Sequence, residues 1–464
     1  MAKKLKLNPL DASWLMVESK ETPMHVGSLT IFSLPKGAPD TFVKDLVGAM
    51  REQRQFANPF NLKLASAALK AVLPAWVEDH KIDLEYHLRH SALPLPGGER
   101  ELGVLISRLH SHPLDFNRPL WECHIIEGLE DRRFAMYMKM HHSQVDGVGG
   151  MKMLQKMLSP DPDATEMSPP WSVGRGTGAP RGPRGRSSLG ESMRKQAEII
   201  PGVLKALAAV IRDSWSKSNS ANATPYAGPK SILNGKISGQ RRFATQFYEL
   251  ERIKKIAKVA DVTVNDVFLE LCAGSLRRYL EEIEALPVDP LTAGVPVSVR
   301  PADDADSGNA ISFIIANLNT HIGDPLARLY AIKDSTTIAK EKLQALPKAG
   351  INSYTMVFMA PYILQMLTGL GGRTKPMFNV TISNVPGPSA ALFFNGARLE
   401  QMYPISLLSH GQALNITVVS YAGQFNVGFT GCRDTLPRMQ RLATYMADEL
   451  EALEKALKKS RKAA

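Results

Sequence analysis

Apolar positions along this chain recur with two different periods. Alternating or near-continuous apolar runs over 24–32, 133–141, 243–250, 292–299, 312–319, 414–421 and 424–431 predict strands. Three-and-four spacing over 40–55, 99–112, 264–286 and 325–346 predicts helices, the first opened by Asp40 as N-cap. The run 133–141 has almost no polar break, which predicts a strand buried on both faces. Ala422-Gly423 supplies a two-residue hairpin turn between the last two strands. An amphipathic helix over 438–459 closes the chain, with Leu442, Tyr445, Met446, Leu450, Leu453 and Leu457 on one face.

These elements fall into two mixed α/β blocks. Between them the segment 159–190 is rich in Pro, Gly, Ser and Arg, a composition that cannot hold a packed core. The predicted organisation is therefore an N-terminal lobe over 1–158, a linker over 159–239 with a helix-like stretch at 193–215, and a C-terminal lobe over 240–464. A length of 464 residues favours two lobes over one core.

Composition narrows the function. A net charge of +11 attracts anions, which include nucleic acid, anionic lipid and phosphate-bearing substrates. No zinc-finger spacing or RNP-type strand is present, so a nucleic-acid partner is not expected. Three distant cysteines, Cys123, Cys272 and Cys432, imply no disulfide framework and a reducing compartment. The basic N-terminus has no apolar run of signal-peptide length, so a cytoplasmic location is expected. The stretch 349–372 carries no charge, but it contains Asn352, Ser353, Thr355, Pro361 and Gln365 and ends in Gly371-Gly372. It reads as a buried or interfacial helix rather than a membrane span.

The most informative local pattern is His141-His142-Ser143-Gln144-Val145-Asp146-Gly147, at the end of the buried strand and the start of a glycine-rich turn. Adjacent strand residues point to opposite faces, so only one of the two histidines can address a substrate. A neutral imidazole there can take the proton of an alcohol as its oxygen attacks a thioester. Asp146 reads as the N-cap of the following helix, as an anchor that pairs with an arginine, or as both. A metal reading of His142 with Asp146 lacks a third ligand at suitable spacing.

The His-His-x-x-x-Asp-Gly pattern resembles that of the chloramphenicol acetyltransferase superfamily. Further segments are similar to the bacterial wax ester synthase/acyl-CoA:diacylglycerol acyltransferase family: 10–14 (Leu-Asp-Ala-Ser-Trp), 117–121 (Asn-Arg-Pro-Leu-Trp), 263–267 (Thr-Val-Asn-Asp-Val), 296–300 (Pro-Val-Ser-Val-Arg) and 380–388 (Val-Thr-Ile-Ser-Asn-Val-Pro-Gly-Pro). The resemblance runs from about residue 8 to 450, in order. It implies two chloramphenicol-acetyltransferase-like lobes with an active-site tunnel between them, entered by fatty acyl-CoA from one mouth and by a long-chain alcohol or diacylglycerol from the other. By that likeness His142 is the base and His141 supports it. No cofactor is implied, acyl-CoA being a substrate. Peripheral contact with the inner face of the membrane or with lipid droplets is expected, because the acceptors dissolve in lipid.

The remaining positions have two readings each. Arg118 and Arg300 are both candidates to pair with Asp146, and Trp121 reads as a buried support. Asn265 is either an ordinary polar residue of a helix start or a substrate-positioning amide. Ser383 and Asn384 belong to a stiff turn or to a segment that lines the tunnel together with Gly147. Two other functions fit the same features: condensation of carrier-bound thioesters, and a non-catalytic coat on lipid droplets.

Overall fold

A computed structural model of the chain describes residues 4–7, 9–72, 74–165, 167–174, 223–298, 311–344 and 362–463. The helix expected over 193–215 lies outside these residues, as does the 349–361 part of the uncharged stretch.

Two six-stranded mixed sheets organise the molecule. The first runs in the order Phe393–Phe394, Ala397–Ile405, His25–Ser33, Arg133–His141, Trp121–Leu129, Leu88–Ala92. The second runs Ile311–Asn317, Thr292–Ser298, Val380–Pro386, Leu414–Tyr421, Gln424–Cys432, Arg241–Glu249. A third sheet of three short strands packs with Leu15 and Leu120.

The sheets do not follow the two predicted halves of the sequence throughout. Strand Ala397–Ile405 comes from the second half yet pairs with His25–Ser33, Tyr403 lying opposite Leu29. The next strand, Leu414–Tyr421, is back in the second sheet. The connection 406–413 therefore crosses the seam between the sheets.

Most elements match the periodicity that predicts them. The Ala422-Gly423 turn has φ of 45° and 82°, the pair of positive values that a tight hairpin of this hand requires. The first long helix spans Phe42–Glu52, with Thr41 rather than Asp40 as its N-cap. Along the closing helix Arg441–Ala463, Leu442, Met446, Leu450, Leu453 and Leu457 are buried, as the pattern predicts.

Strand Arg133–His141 is buried on both faces, but for different reasons. Phe134, Met136 and Met140 join an apolar core on one side. On the other side Lys139 is fully buried; its Nζ pairs with Glu122 at 2.9 Å and donates to the carbonyls of Leu109 and His112 at 3.2 and 3.0 Å. His110 Nδ1 meets the Tyr137 hydroxyl at 2.8 Å, and His25 Nε2 meets the His110 carbonyl at 2.8 Å. Each of these side chains has at least one partner, which offsets the cost of its burial, although His25 Nδ1 is left without one.

Burial pushes His25 well below the usual imidazole range, His110 to about 3 and His87 to about 4, and it lowers His124. Burial alone would raise Glu122, but His124 and Lys139 hold its carboxyl down to about 2. In the unfolded chain the imidazoles titrate near about 6.5. Between that value and the lower folded ones the unfolded state binds more protons, so the histidine contribution is complete above about pH 6.5 and shrinks as pH falls below it. The share from Glu122 is lost only below about pH 4.5, its unfolded value. The melting temperature should be level above about pH 7 and fall steadily from about 6.5 to 5. Melting curves that coincide at about pH 7.5 and 5.5 would contradict the neutral burial of these rings.

Candidate active site

A cavity of about 360 Å³ lies where the two sheets meet. Both walls mix apolar and polar side chains. The first sheet and the helix Gly147–Met157 present methionines, Met136, Met138 and Met140 at every second position of one strand and Met151, Met153 and Met157 from the helix. Thioether side chains are apolar and conformationally adaptable, which suits a surface for alkyl chains. The second sheet and the seam connection present Thr381, Ser383, Ser406, Ser409, Gln412 and Thr417.

The two histidines of the motif part company at the strand end. His142 lies on the cavity wall. Its backbone N–H donates to the Met24 carbonyl at 2.8 Å, and its ring packs on Trp14 with centroids 4.4 Å apart. Its Nδ1 is buried without a protein partner. Burial lowers its pKa to about 4; the charge of Asp146 opposes that shift and His141 adds to it. At neutral pH the ring is therefore unprotonated and able to accept a proton.

His141 is fully buried and faces away from the cavity. Its Nε2 lies 2.6 Å from Glu18 Oε2, a carboxylate acceptor, so this nitrogen carries the proton. Its Nδ1 then accepts, from the Ser143 backbone N–H at 3.1 Å and the Ser143 hydroxyl at 2.6 Å. The helix Pro9–Val17 thus serves both histidines: Trp14 on its face packs on His142, and Glu18 at its end fixes His141. Glu18 was not legible as a site residue, because nothing in its local sequence marks it and its partner lies far along the chain.

Asp146 caps the following helix, its side chain accepting from the Gly149 N–H at 2.6 Å. Among the described residues it has no arginine partner. Arg118 is engaged elsewhere, with Asp83 at 3.1 Å, Asp115 at 3.6 Å and the face of Tyr86 at 4.1 Å. Arg300 lies outside the described residues. The capping bond bears on what a substitution should do. Asparagine caps a helix about as well as aspartate, so Asp146→Asn should leave the melting temperature nearly unchanged while slowing acyl transfer through loss of a charge that favours protonated His142. Asp146→Ala should in addition cost about 0.5–2 kcal/mol of stability. Thermal melts alongside rates check this. An asparagine variant as destabilised as the alanine one would point to a buried charge pair instead.

The other predicted residues divide. Trp121 is wholly buried, its Nε1 donating to the Phe60 carbonyl at 2.9 Å and its ring stacked on His87 at 4.3 Å. Gly147 and Ser383 are on the cavity wall. Asn384 is not, because alternation along Val380–Pro386 sends Thr381, Ser383 and Val385 to the cavity and Asn384 to the other face. Asn265 is not on the wall either. It sits in the first turn of Val264–Glu282, where Thr263 and Asp266 form a capping box around it, so its helix-start reading is the one that the structure supports.

Two mixed sheets with a cavity between them, and a histidine at the end of a strand on its wall, place the chain in a two-lobed α/β fold that condensation domains also have. The first condensation domain of the calcium-dependent antibiotic synthetase shares it, with a TM-score of 0.57 at 14% identity over 98% of this chain and 96% of that one, a likeness of fold alone. The chain itself belongs to the wax ester synthase/diacylglycerol acyltransferase family: the family's catalytic-domain model matches residues 7–268 and its C-terminal domain model residues 307–454. It is 42% identical to the O-acyltransferase WSD of Acinetobacter baylyi over 98% of both chains. It also resembles the solved wax ester synthase/diacylglycerol acyltransferase of Marinobacter aquaeolei VT8, with a TM-score of 0.80 and 40% identity over 98% of this chain and 99% of that one. The chain is accordingly an acyltransferase.

Proposed function

We propose that this enzyme transfers a fatty acyl group from coenzyme A to a long-chain alcohol, giving wax ester, and to diacylglycerol, giving triacylglycerol, with His142 as general base. The observation that carries this reading is the neutral, buried imidazole of His142 on the wall of a methionine-rich cavity. The imidazole takes the hydroxyl proton as the alcohol oxygen bonds to the thioester carbonyl carbon. Collapse of the tetrahedral adduct breaks the C–S bond, and the imidazolium returns the proton to the departing sulfur. A positioned base contributes about 10²–10⁴-fold, and alignment of two substrates in a dry cavity supplies much of the remainder. No metal or cofactor enters these steps.

The acceptors dissolve in lipid, so the enzyme works peripherally, on the inner face of the membrane or on lipid droplets. The +11 net charge supports this, and no helix among the described residues is long and apolar enough to cross a membrane.

Incubating the purified chain with several acyl-CoAs, each paired with hexadecanol or a diacylglycerol, and identifying the esters formed tests the proposal. Ester is expected with both acceptors. Transfer only from carrier-protein thioesters, with none from acyl-CoA, would assign a condensation reaction instead.

A further inference from the structure

The part of the uncharged stretch that the structure describes has two dissimilar sides. On its inner side Tyr362 lines the cavity, its hydroxyl 2.8 Å from Ser409 Oγ and its ring stacked on Phe378 at 5.9 Å. On its outer side Leu364, Leu367 and Leu370 are 55%, 46% and 44% exposed. Residues 362–367 are helical, and a spacing of three keeps Leu364 and Leu367 on one flank; Leu370 follows the helix, after the turn at Gly369 (φ 67°). A lone exposed leucine needs no explanation, but a row of them on the back of a cavity wall does.

The basic residues that follow are drawn alongside. Gln365 Nε2 donates to Thr374 Oγ1 at 3.0 Å and to the Lys375 carbonyl at 3.3 Å, so Arg373 and Lys375, both exposed, flank the leucines. The return is held to the body of the protein. A Cβ at Gly372 (φ 74°) would lie 2.6 Å from the Lys236 backbone nitrogen, and one at Gly371 would lie 2.7 Å from the His410 carbonyl. Between Glu341 and Glu400 the sequence has no acidic residue, yet it contains Lys342, Lys348, Arg373, Lys375 and Arg398. The charge beside the leucine row is thus of one sign along the sequence.

We infer that the face formed by Leu364, Leu367 and Leu370 with Arg373 and Lys375 docks on an anionic phospholipid surface, and that the lipid-dissolved acceptor enters the cavity past Tyr362. Leucines enter the acyl-chain boundary while the cations meet lipid phosphates, a pairing of apolar burial with electrostatic attraction. The inference rests on the proposal that the acceptor is a lipid-dissolved alcohol.

The test uses the whole chain and two double variants, Leu364→Ser with Leu367→Ser, and Arg373→Glu with Lys375→Glu. None of the substituted residues lines the cavity. Flotation is measured with phosphatidylcholine vesicles with and without phosphatidylglycerol. Transfer is measured to hexadecanol held in those vesicles and to a shorter alcohol free in solution. Withdrawing two leucines from lipid should weaken vesicle binding at least about ten-fold and raise KM for the embedded alcohol to match, with kcat/KM for the dissolved alcohol unchanged. The charge-reversed pair should lose the preference for phosphatidylglycerol, and salt should weaken wild-type binding. Variants that float like wild type would overturn the docking assignment. So would equal loss on both alcohols, which would mark the segment as cavity wall only. A wild type that binds vesicles but acylates neither alcohol would leave the docking face standing and overturn the acyl-transfer reading.

Discussion

Replacing His142 by alanine should leave a folded protein that has lost nearly all acyl transfer, a fall of about 10²–10⁴-fold in kcat. The ring contributes little to the fold: its contacts are the Trp14 face and the cavity, and the N–H bond to the Met24 carbonyl is made by the backbone, which the substitution keeps. His141→Ala should behave in the opposite way. Its ring joins Glu18 and Ser143 inside the protein, and deleting it leaves a buried carboxylate without that partner, so the melting temperature should fall while some rate survives wherever the chain stays folded. Paired measurements of melting temperature and initial rate for the two variants decide the matter. Greater loss of rate in folded His141→Ala than in His142→Ala would exchange their roles.

The largest effect on stability should come from a residue remote from the cavity. Arg328 is fully buried between Glu270 and Glu449, holding Glu270 at 2.9 Å and forming an ion pair with Glu449. Arg278 reaches the second oxygen of Glu449 at 2.9 Å. The three central residues come from helices Val264–Glu282, Pro325–Gln344 and Arg441–Ala463, so one guanidinium joins three helices. Burial already pushes the Glu270 carboxyl well above the usual range, and Arg328 opposes that shift. Arg328→Met would remove the cation from two buried acids, a change that typically costs about 3–5 kcal/mol. A sharp drop in melting temperature is expected, partly restored by adding Glu270→Gln, since the amide needs no counter-charge. An unchanged melting temperature in Arg328→Met would show that the cluster does not hold the helices together.

Much of the fold was legible because its strands and helices carry their burial in simple periods. Strand Trp121–Leu129 was not, because Glu122 and His124 interrupt its apolar residues. Glu122 pairs with buried Lys139 on the neighbouring strand and with His124 on its own, and only this pairing in space makes the charges tolerable. Strand Ala397–Ile405 was not among the predicted ones, and its crossing into the first sheet was equally hidden, since a local pattern never names a strand's neighbour.

The site shows the same division. Alternation at a strand end was enough to separate His141 from His142, and it would also have separated Asn384 from Ser383. Glu18, Thr381 and the seam residues Ser406 to Gln412 reach the site through long-range packing, which one sequence does not display. At Asn265, which had two readings, Thr263 and Asp266 on either side form the capping box of that helix start.

The central claim is direct transfer, in which His142 deprotonates the acceptor and no acyl-enzyme forms. Rapid mixing of acyl-CoA with a stoichiometric amount of enzyme, following free coenzyme A thiol, tests it most directly. Thiol should appear only when long-chain alcohol is present, equal in amount to the ester formed, and should be nearly absent with His142→Ala. A burst of thiol without alcohol, matched by acyl group covalently held on the protein (Ser383, Ser406 and Ser409 are on the cavity wall), would contradict the account.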